Sequence, residues 1–383
     1  MTQLRNGLAL GLMASLLAAC GGGSSADTTP KTKITAVHVF GDSLADSGTF
    51  GIKFTVQGAD SLIYPERIAK AYGATLCPVL TSPDGGATFA PNTTSGCTNW
   101  AVGGGRINIP TAPTSPYAIR QQLANAAAAH SYTAADMVVV DGGGNDAADL
   151  VGAYLKASTD SGASFVALAS TLLDGATVAG ALGGANPLPT LGGLYMKALA
   201  DAFFASVKTN TLDKGATNVV VVNMPGITNT PRFQMVLASI SAAYGGGAAG
   251  DAAKAASLAV FDGWVKGFNA ELAAKVAGNS SVVLYDFYTA FNLEVSTPAQ
   301  FGLQNITTPA CPITGVGTDG LPTYTFATCT DTNLSATTPP QGATGGANWW
   351  KTYGFSDGFH PTPYGHQLIY QRIALDLAAS GRL

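Results

Sequence analysis

The chain has 383 residues, a formal charge of −4 and only 11% charged residues against 46% hydrophobic ones. That length holds one large domain or two ordinary ones with an ample core. No basic stripe marks a nucleic-acid surface, so nucleic acid is not an expected partner.

The first element is "MTQLRNGLALGLMASLLAAC". It carries one early positive charge, Arg5, and then an uncharged, largely apolar run from Gly7 to Ala19. The run is too short for a comfortable bilayer span and reads as a signal peptide over residues 1–19. Leu17-Ala18-Ala19-Cys20 resembles the lipobox of bacterial lipoproteins. The resemblance implies cleavage before Cys20 and a diacylglycerol on its sulfur. The alternative is an ordinary signal peptide, with Cys20 incidental and the protein secreted. Residues 20–33, rich in Gly, Ser and Thr, then read as the lipidated Cys and a flexible linker, leading to one body at 34–383. Lipidated, Cys20 is a stable membrane anchor. Gly21 in place of the Asp associated with inner-membrane retention points to the outer membrane.

Next comes "KITAVHVF", a β-branched strand pattern ending at Phe40, followed by a Gly-rich loop holding Ser43 and a helical stretch from Leu62 to Tyr72. "DMVVVDGGG" from Asp136, the valines of 217–224 and "SVVLYDF" at 281–287 are short continuous apolar runs, the mark of strands buried on both faces. Helix-like stretches lie between and around them at Tyr117–His130, Leu191–Lys208 and Asp251–Val276. The alternation predicts an α/β fold built on a parallel sheet, whose sites lie at the carboxyl ends of strands. Ser43 falls at such an end. Two stretches stand outside the pattern, Ala148–Asn210 and the Pro/Thr/Gly-rich Gln300–Trp350, and read as surface excursions over the sheet ends.

Five cysteines in an exported chain leave one over from pairing. Assigning Cys20 to the lipid leaves Cys77, Cys97, Cys311 and Cys329. Local pairs, Cys77–Cys97 and Cys311–Cys329, are the preferred of three pairings. No Cys-x-x-Cys occurs and the four histidines are scattered, so neither metal nor cofactor is expected.

Ser43 alone is ordinary turn material. A nucleophilic serine needs a base, a group that orients the base, and donors for an oxyanion. Among the histidines, His38 lies in a strand and reads as structural, His130 ends an Ala-rich helix and reads as exposed, and His366 falls within a helix as a structural or surface residue. His360 follows Asp357 by three residues in a turn-rich segment, a spacing that lets the carboxylate fold back to the ring. Gly354-Phe355-Ser356-Asp357-Gly358 matches G-x-S-x-G in letters. It lacks the preceding strand and has prolines after it, so Ser356 is set aside as a nucleophile. "NWAVGGGR" and "GGGND" supply glycine amides and an Asn amide as oxyanion donors.

Taken in order, "FGDSLADSG", "NWAVGGGR", "GGGND" and "DGFHPT" resemble the four sequence blocks of the GDSL, or SGNH, hydrolase family. The resemblance runs from Ile34 to the C-terminus and is similar in wording to the esterase passenger domains of bacterial autotransporters, without their β-barrel. It implies a three-layer α/β/α sandwich of flavodoxin-like kind with a central, mostly parallel sheet. It further implies Ser43 as nucleophile, His360 as base and Asp357 as its partner. The implied oxyanion donors are the Ser43 amide, the Gly104 amide (chosen among Gly103–Gly105) and the Asn145 side chain. Asp42 and Asp46 would buttress the Ser43 loop. The implied activity is hydrolysis of short- to medium-chain acyl esters, from small molecules or lipids, by a serine esterase or lipase through an acyl-enzyme. The alternatives are a carbohydrate acetylesterase, with Trp349-Trp350 as a sugar platform, and a lipid- or partner-binding surface lipoprotein that keeps the scaffold without activity.

Overall fold

A computed structural model describes residues 32–383. The signal peptide, Cys20 and nearly all of the linker lie outside the described residues. In chain order the elements are β1 (Ala36–Phe40), α1 (Tyr64–Ala71), the short pair β2 (Leu80–Thr81) and β3 (Ala90–Pro91), α2 (Ile119–Ala129) and β4 (Asp136–Val140). Then come α3 (Gly144–Asp160), α4 (Ala163–Ala169), α5 (Gly175–Leu182), α6 (Pro187–Asn210), β5 (Val219–Val222), α7 (Pro231–Ala243), α8 (Gly247–Val276) and β6 (Val282–Tyr285). The chain closes with α9 (Phe287–Ser296), the hairpin β7 (Ile313–Val316) and β8 (Pro322–Tyr324), α10 (Asp331–Ala336) and α11 (Pro363–Ala379).

The central sheet has the order β1-β4-β5-β6, and every neighbouring pair is parallel, with Val39 opposite Val139, Val139 opposite Val220 and Val220 opposite Val283. Successive strand residues point to opposite faces, and here both faces are covered. Phe40, Val138, Val140, Val219 and Val221 enter one apolar core with Leu123 of α2, Phe203 of α6 and Phe268 of α8. Their neighbours Val37, Val39, Val139, Val220 and Val222 enter the other, against Ile68 of α1, Phe291 of α9 and Ile373 of α11. This is why the strands are continuous valine runs rather than alternating ones. Each fully buried Val, Leu or Phe contributes about 1.5–3 kcal/mol over its exposed state. The strand–helix alternation holds as the parallel α/β fold it predicts, and the sandwich is three-layered, α/β/α, as the family resemblance implies.

Outside β1 the sheet edge is blunted by irregular chain. Thr98 accepts from the Val39 amide at 3.1 Å, Trp100 donates to Val39 at 2.8 Å, and Val79 donates to Asn99 at 2.7 Å. A disulfide between Cys77 and Cys97, 20 residues apart, ties these two segments together. The second disulfide joins Cys311 to Cys329 and closes the base of the β7–β8 hairpin. The local pairing is the one present.

The two presumed excursions are not decoration. Residues 148–210 form most of α3 and all of α4, α5 and α6, and Phe165, Leu191, Tyr195 and Leu199 sit in the first core. Their Ala and Gly content allows close helix packing; of these helices the sequence reading expected α6, as the helix-like stretch Leu191–Lys208. Residues 300–350 carry the hairpin and α10, and they bury Trp349 and Trp350 in a third, smaller core with Val56, Phe326 and Leu334. Among the described residues, no helix is long and apolar enough to cross a membrane.

Candidate active site

The carboxyl ends of β1 and β4 lie side by side, and the chain turns sharply after each. After β1, Gly41 is pinned on both sides by Gln122, which accepts from its amide at 2.9 Å and donates to its carbonyl at 3.0 Å. A Cβ on Gly41 would stand 1.7 Å from the Asp141 carboxylate, so only glycine allows this approach. Two residues on, Ser43 is 8% exposed at the mouth of a cavity.

The second contributor arrives more than 300 residues later in the chain. Between Tyr353 and α11, Phe355 and Pro361 bridge antiparallel and the Ser356 amide donates to the His360 carbonyl at 2.7 Å. The intervening loop thus folds back on itself. Inside it, the Asp357 carboxylate accepts the amides of Phe359 and His360 at 2.8 and 2.7 Å, and both its oxygens lie 2.9 Å from His360 Nδ1. His360 Nε2 lies 2.7 Å from Ser43 Oγ. The imidazole is 15% exposed and the carboxylate 13%. Burial pulls the imidazole pKa down, but the Asp357 charge and hydrogen bond outweigh it and the net shift is upward from 6.5. Burial likewise opposes the charge on Asp357, yet its pKa ends below the usual carboxylate value because His360 and the two amides stabilise the anion. With the proton on Nδ1, the arrangement leaves Nε2 free to accept the serine proton.

The three glycines after Val102 differ in what their amides do. Gly103 donates to Asp46 at 2.8 Å and Gly105 donates to Val102 at 2.9 Å. Among the described residues the Gly104 and Ser43 amides have no protein acceptor, and both residues line the cavity. Gly104 takes φ +80°, which L side chains rarely adopt, and Arg106 holds its carbonyl at 2.7 Å. Asn145, in the first turn of α3, lines the same cavity; its amide donates to the Gly105 carbonyl at 2.9 Å and lies 3.4 Å from Asp42.

The acidic residues around the loop are structural partners. Asp46 also accepts the amides of Gly48 and Thr49 at 2.9 and 2.7 Å. Asp42 accepts Leu44 at 3.0 Å. Asp146 takes the amides of Ile107 and Asn108, and burial pushes its pKa up to about 7. Sequence reasoning missed Asp141. It accepts the Asp42 amide at 3.1 Å and the Tyr64 hydroxyl at 2.8 Å, and burial, followed by the nearby Asp42, holds its carboxyl well above the ordinary range. Its only signal was an acid ending an otherwise apolar strand.

The remaining histidines stay apart from this constellation. His366 is fully buried, accepts the Tyr64 amide at 3.4 Å and has a pKa pushed well down by burial. His38 pairs with Asp136 at 3.1 Å. His130 corrects the exposed reading: it is half-buried, because its ring packs against those of His38 and Tyr132, with centroids 4.5 and 4.7 Å away. Ser356 is fully buried, accepting from Val56 at 3.1 Å and donating to Pro361 at 3.0 Å, which makes it a brace of the loop.

The cavity measures about 290 Å³. Ile227, Phe233, Phe287, Phe291 and Phe359 give it an apolar wall, and Phe54 closes on His360 with ring centroids 5.3 Å apart. No sequence signal marked these residues, which come from separate segments. Trp349 and Trp350 do not reach it; their indole nitrogens donate to Leu334 and Ser335 of α10.

No curated protein matches the chain. The family model for GDSL-like Lipase/Acylhydrolase matches residues 37–373, from the first strand to the last helix. With a serine at the end of the first strand, an Asp–His loop before the last helix and a parallel three-layer fold between them, the chain belongs to the GDSL-like lipase/acylhydrolase family.

Proposed function

We infer that the protein is a serine carboxylic ester hydrolase acting on short- to medium-chain acyl esters. The observation that carries this is the unbroken relay from Ser43 to His360 to Asp357, at 2.7 and 2.9 Å, opening into an apolar cavity. Ser43 Oγ attacks the ester carbonyl while His360 Nε2 takes its proton. The charge on the carbonyl oxygen is met by the unpartnered amides of Ser43 and Gly104 and by the Asn145 side chain, each such donor worth about 2.7–4 kcal/mol. His360, now charged beside Asp357, hands the proton to the departing alcohol. Water activated by the same ring then releases the acyl group.

A cavity of about 290 Å³ is at the small end of ligand sites, which favours a short or medium acyl chain over a long one. The sugar-acetate alternative loses its main support, since the Trp pair is buried away from Ser43. Two disulfides accord with export to an oxidising compartment, in keeping with the expected signal peptide and Cys20 anchor.

A ladder of p-nitrophenyl esters from acetate to palmitate, with wild type and Ser43→Ala, tests the reading. Turnover that peaks at one chain length and disappears in the variant is expected. A folded wild type inactive across the ladder and unlabelled by a fluorophosphonate would instead leave a binding scaffold.

A further inference from the structure

Helix α9 carries Phe287, Phe291 and Glu294 along one buried face, at helical spacing, with Val295 half-buried beside them. The two phenylalanines line the cavity beside Ser43. Together with Phe355 and Pro361 they also line a second, small cavity of about 20 Å³, so the two spaces share four lining residues. Glu294 lines the small cavity and is its only charged lining residue among the described ones.

Glu294 is 6% exposed, and its Oε1 is buried with no hydrogen-bond partner among the described residues. Burial pushes its pKa up to about 7; Arg372 opposes this from nearby but makes no ion pair with it among the described residues. The Tyr285 hydroxyl, on which the Glu294 charge acts, is likewise buried and has no partner among the described residues. A buried acid without a partner is costly, and an apolar residue would fill the position at lower cost. A donor entering the small cavity removes that cost, and the cavity holds about one water-sized group. Glu294 lies seven residues after Phe287 and three after Phe291 on α9, about 10 Å and about 5 Å along the axis.

We propose that Glu294 is the polar end of the acyl site and selects esters whose acyl chain carries a terminal hydroxyl. The hydroxyl passes the Phe287 and Phe291 rings and donates to the Glu294 carboxylate, while a plain methyl end leaves that carboxylate unpaired. The proposal rests on the esterase reading above.

The test compares p-nitrophenyl hexanoate, octanoate and decanoate with their ω-hydroxy counterparts, using the full protein, Glu294→Leu and Glu294→Gln. At one chain length, wild type is expected to favour the hydroxy ester by about tenfold or more in kcat/KM, as a site built for a hydroxyl does. Glu294→Leu should invert that preference, and Glu294→Gln should keep part of it; the latter preserves the shape if the leucine variant folds poorly. Wild type preferring the plain chain at every length, or a folded Glu294→Leu keeping the hydroxy preference, overturns the proposal and leaves the esterase reading intact. Hydrolysis of neither series overturns both.

Discussion

Asp357→Asn isolates what the carboxylate does for His360. In the wild type Asp357 accepts two loop amides and faces Nδ1 with both oxygens. An asparagine oxygen can still accept the Phe359 and His360 amides, so the loop should keep its shape. Its NH2 group must then face Nδ1, which drives the imidazole proton onto Nε2, the atom 2.7 Å from Ser43 Oγ. A protonated Nε2 cannot take the serine proton. The expected loss is about 10⁴-fold in kcat, or about 5.5 kcal/mol of transition-state stabilisation. The pH profile should change as well. Only the neutral ring accepts a proton, and its pKa is raised, so wild-type kcat/KM should fall as pH drops through a value above 6.5. The variant loses the Asp357 charge and hydrogen bond that raise the pKa and keeps the burial that lowers it. Its acid limb should therefore lie at lower pH than that of wild type. Kinetics on one p-nitrophenyl ester between pH 5 and 9 decide the matter. A folded variant within about tenfold of wild type, with an unmoved acid limb, would refute the reasoning.

Three further outcomes are expected. Asn145→Ala should lower kcat by about 10²–10³-fold with little change in KM, because the amide acts on charge that develops only in the transition state; steady-state kinetics on the same ester checks it. Ser356→Ala strands the Val56 amide in a buried site and should cost about 1–3 kcal/mol in denaturant unfolding, while fluorophosphonate still labels Ser43. Replacing Cys311 and Cys329 with Ser opens a loop spanning 18 residues and should cost about 3 kcal/mol of stability by chain entropy, read from the shift in the urea midpoint.

Much of the fold was written locally. The valine runs at Val138, Val220 and Val283 mark strands buried on both faces, since a strand exposed on one side would alternate. The four blocks around Ser43, Gly104, Asn145 and His360 are equally local, because each is a tight turn whose glycines and short polar residues the backbone itself demands. Ser356 could be set aside for the same reason: the prolines and the missing strand are visible in its own neighbourhood. Helix α6 was legible as the helix-like stretch Leu191–Lys208, whereas α4 and α5 were not, since Ala and Gly permit either close helix packing or loop and the core opposite them decides.

What tertiary structure alone decided is how distant segments meet. The letters choose Gly104 among three glycines as an oxyanion donor; the structure shows that Asp46 and Val102 take the Gly103 and Gly105 amides, while that of Gly104 has no protein acceptor among the described residues. The burial of Trp349 and Trp350, the Asp141–Tyr64 contact and the packing of His130 against His38 each join residues whose sequence contexts say nothing of one another. Glu294 is the clearest case. It shares the face of Phe287 and Phe291 on α9, and nothing in its own segment says what lies opposite. Only the packing of Phe355, Leu303 and Ile369 over it closes that space, and turns a surface charge into a buried one. Local sequence sets which way a side chain points along its own element; the element that lies opposite sets what the side chain finds there.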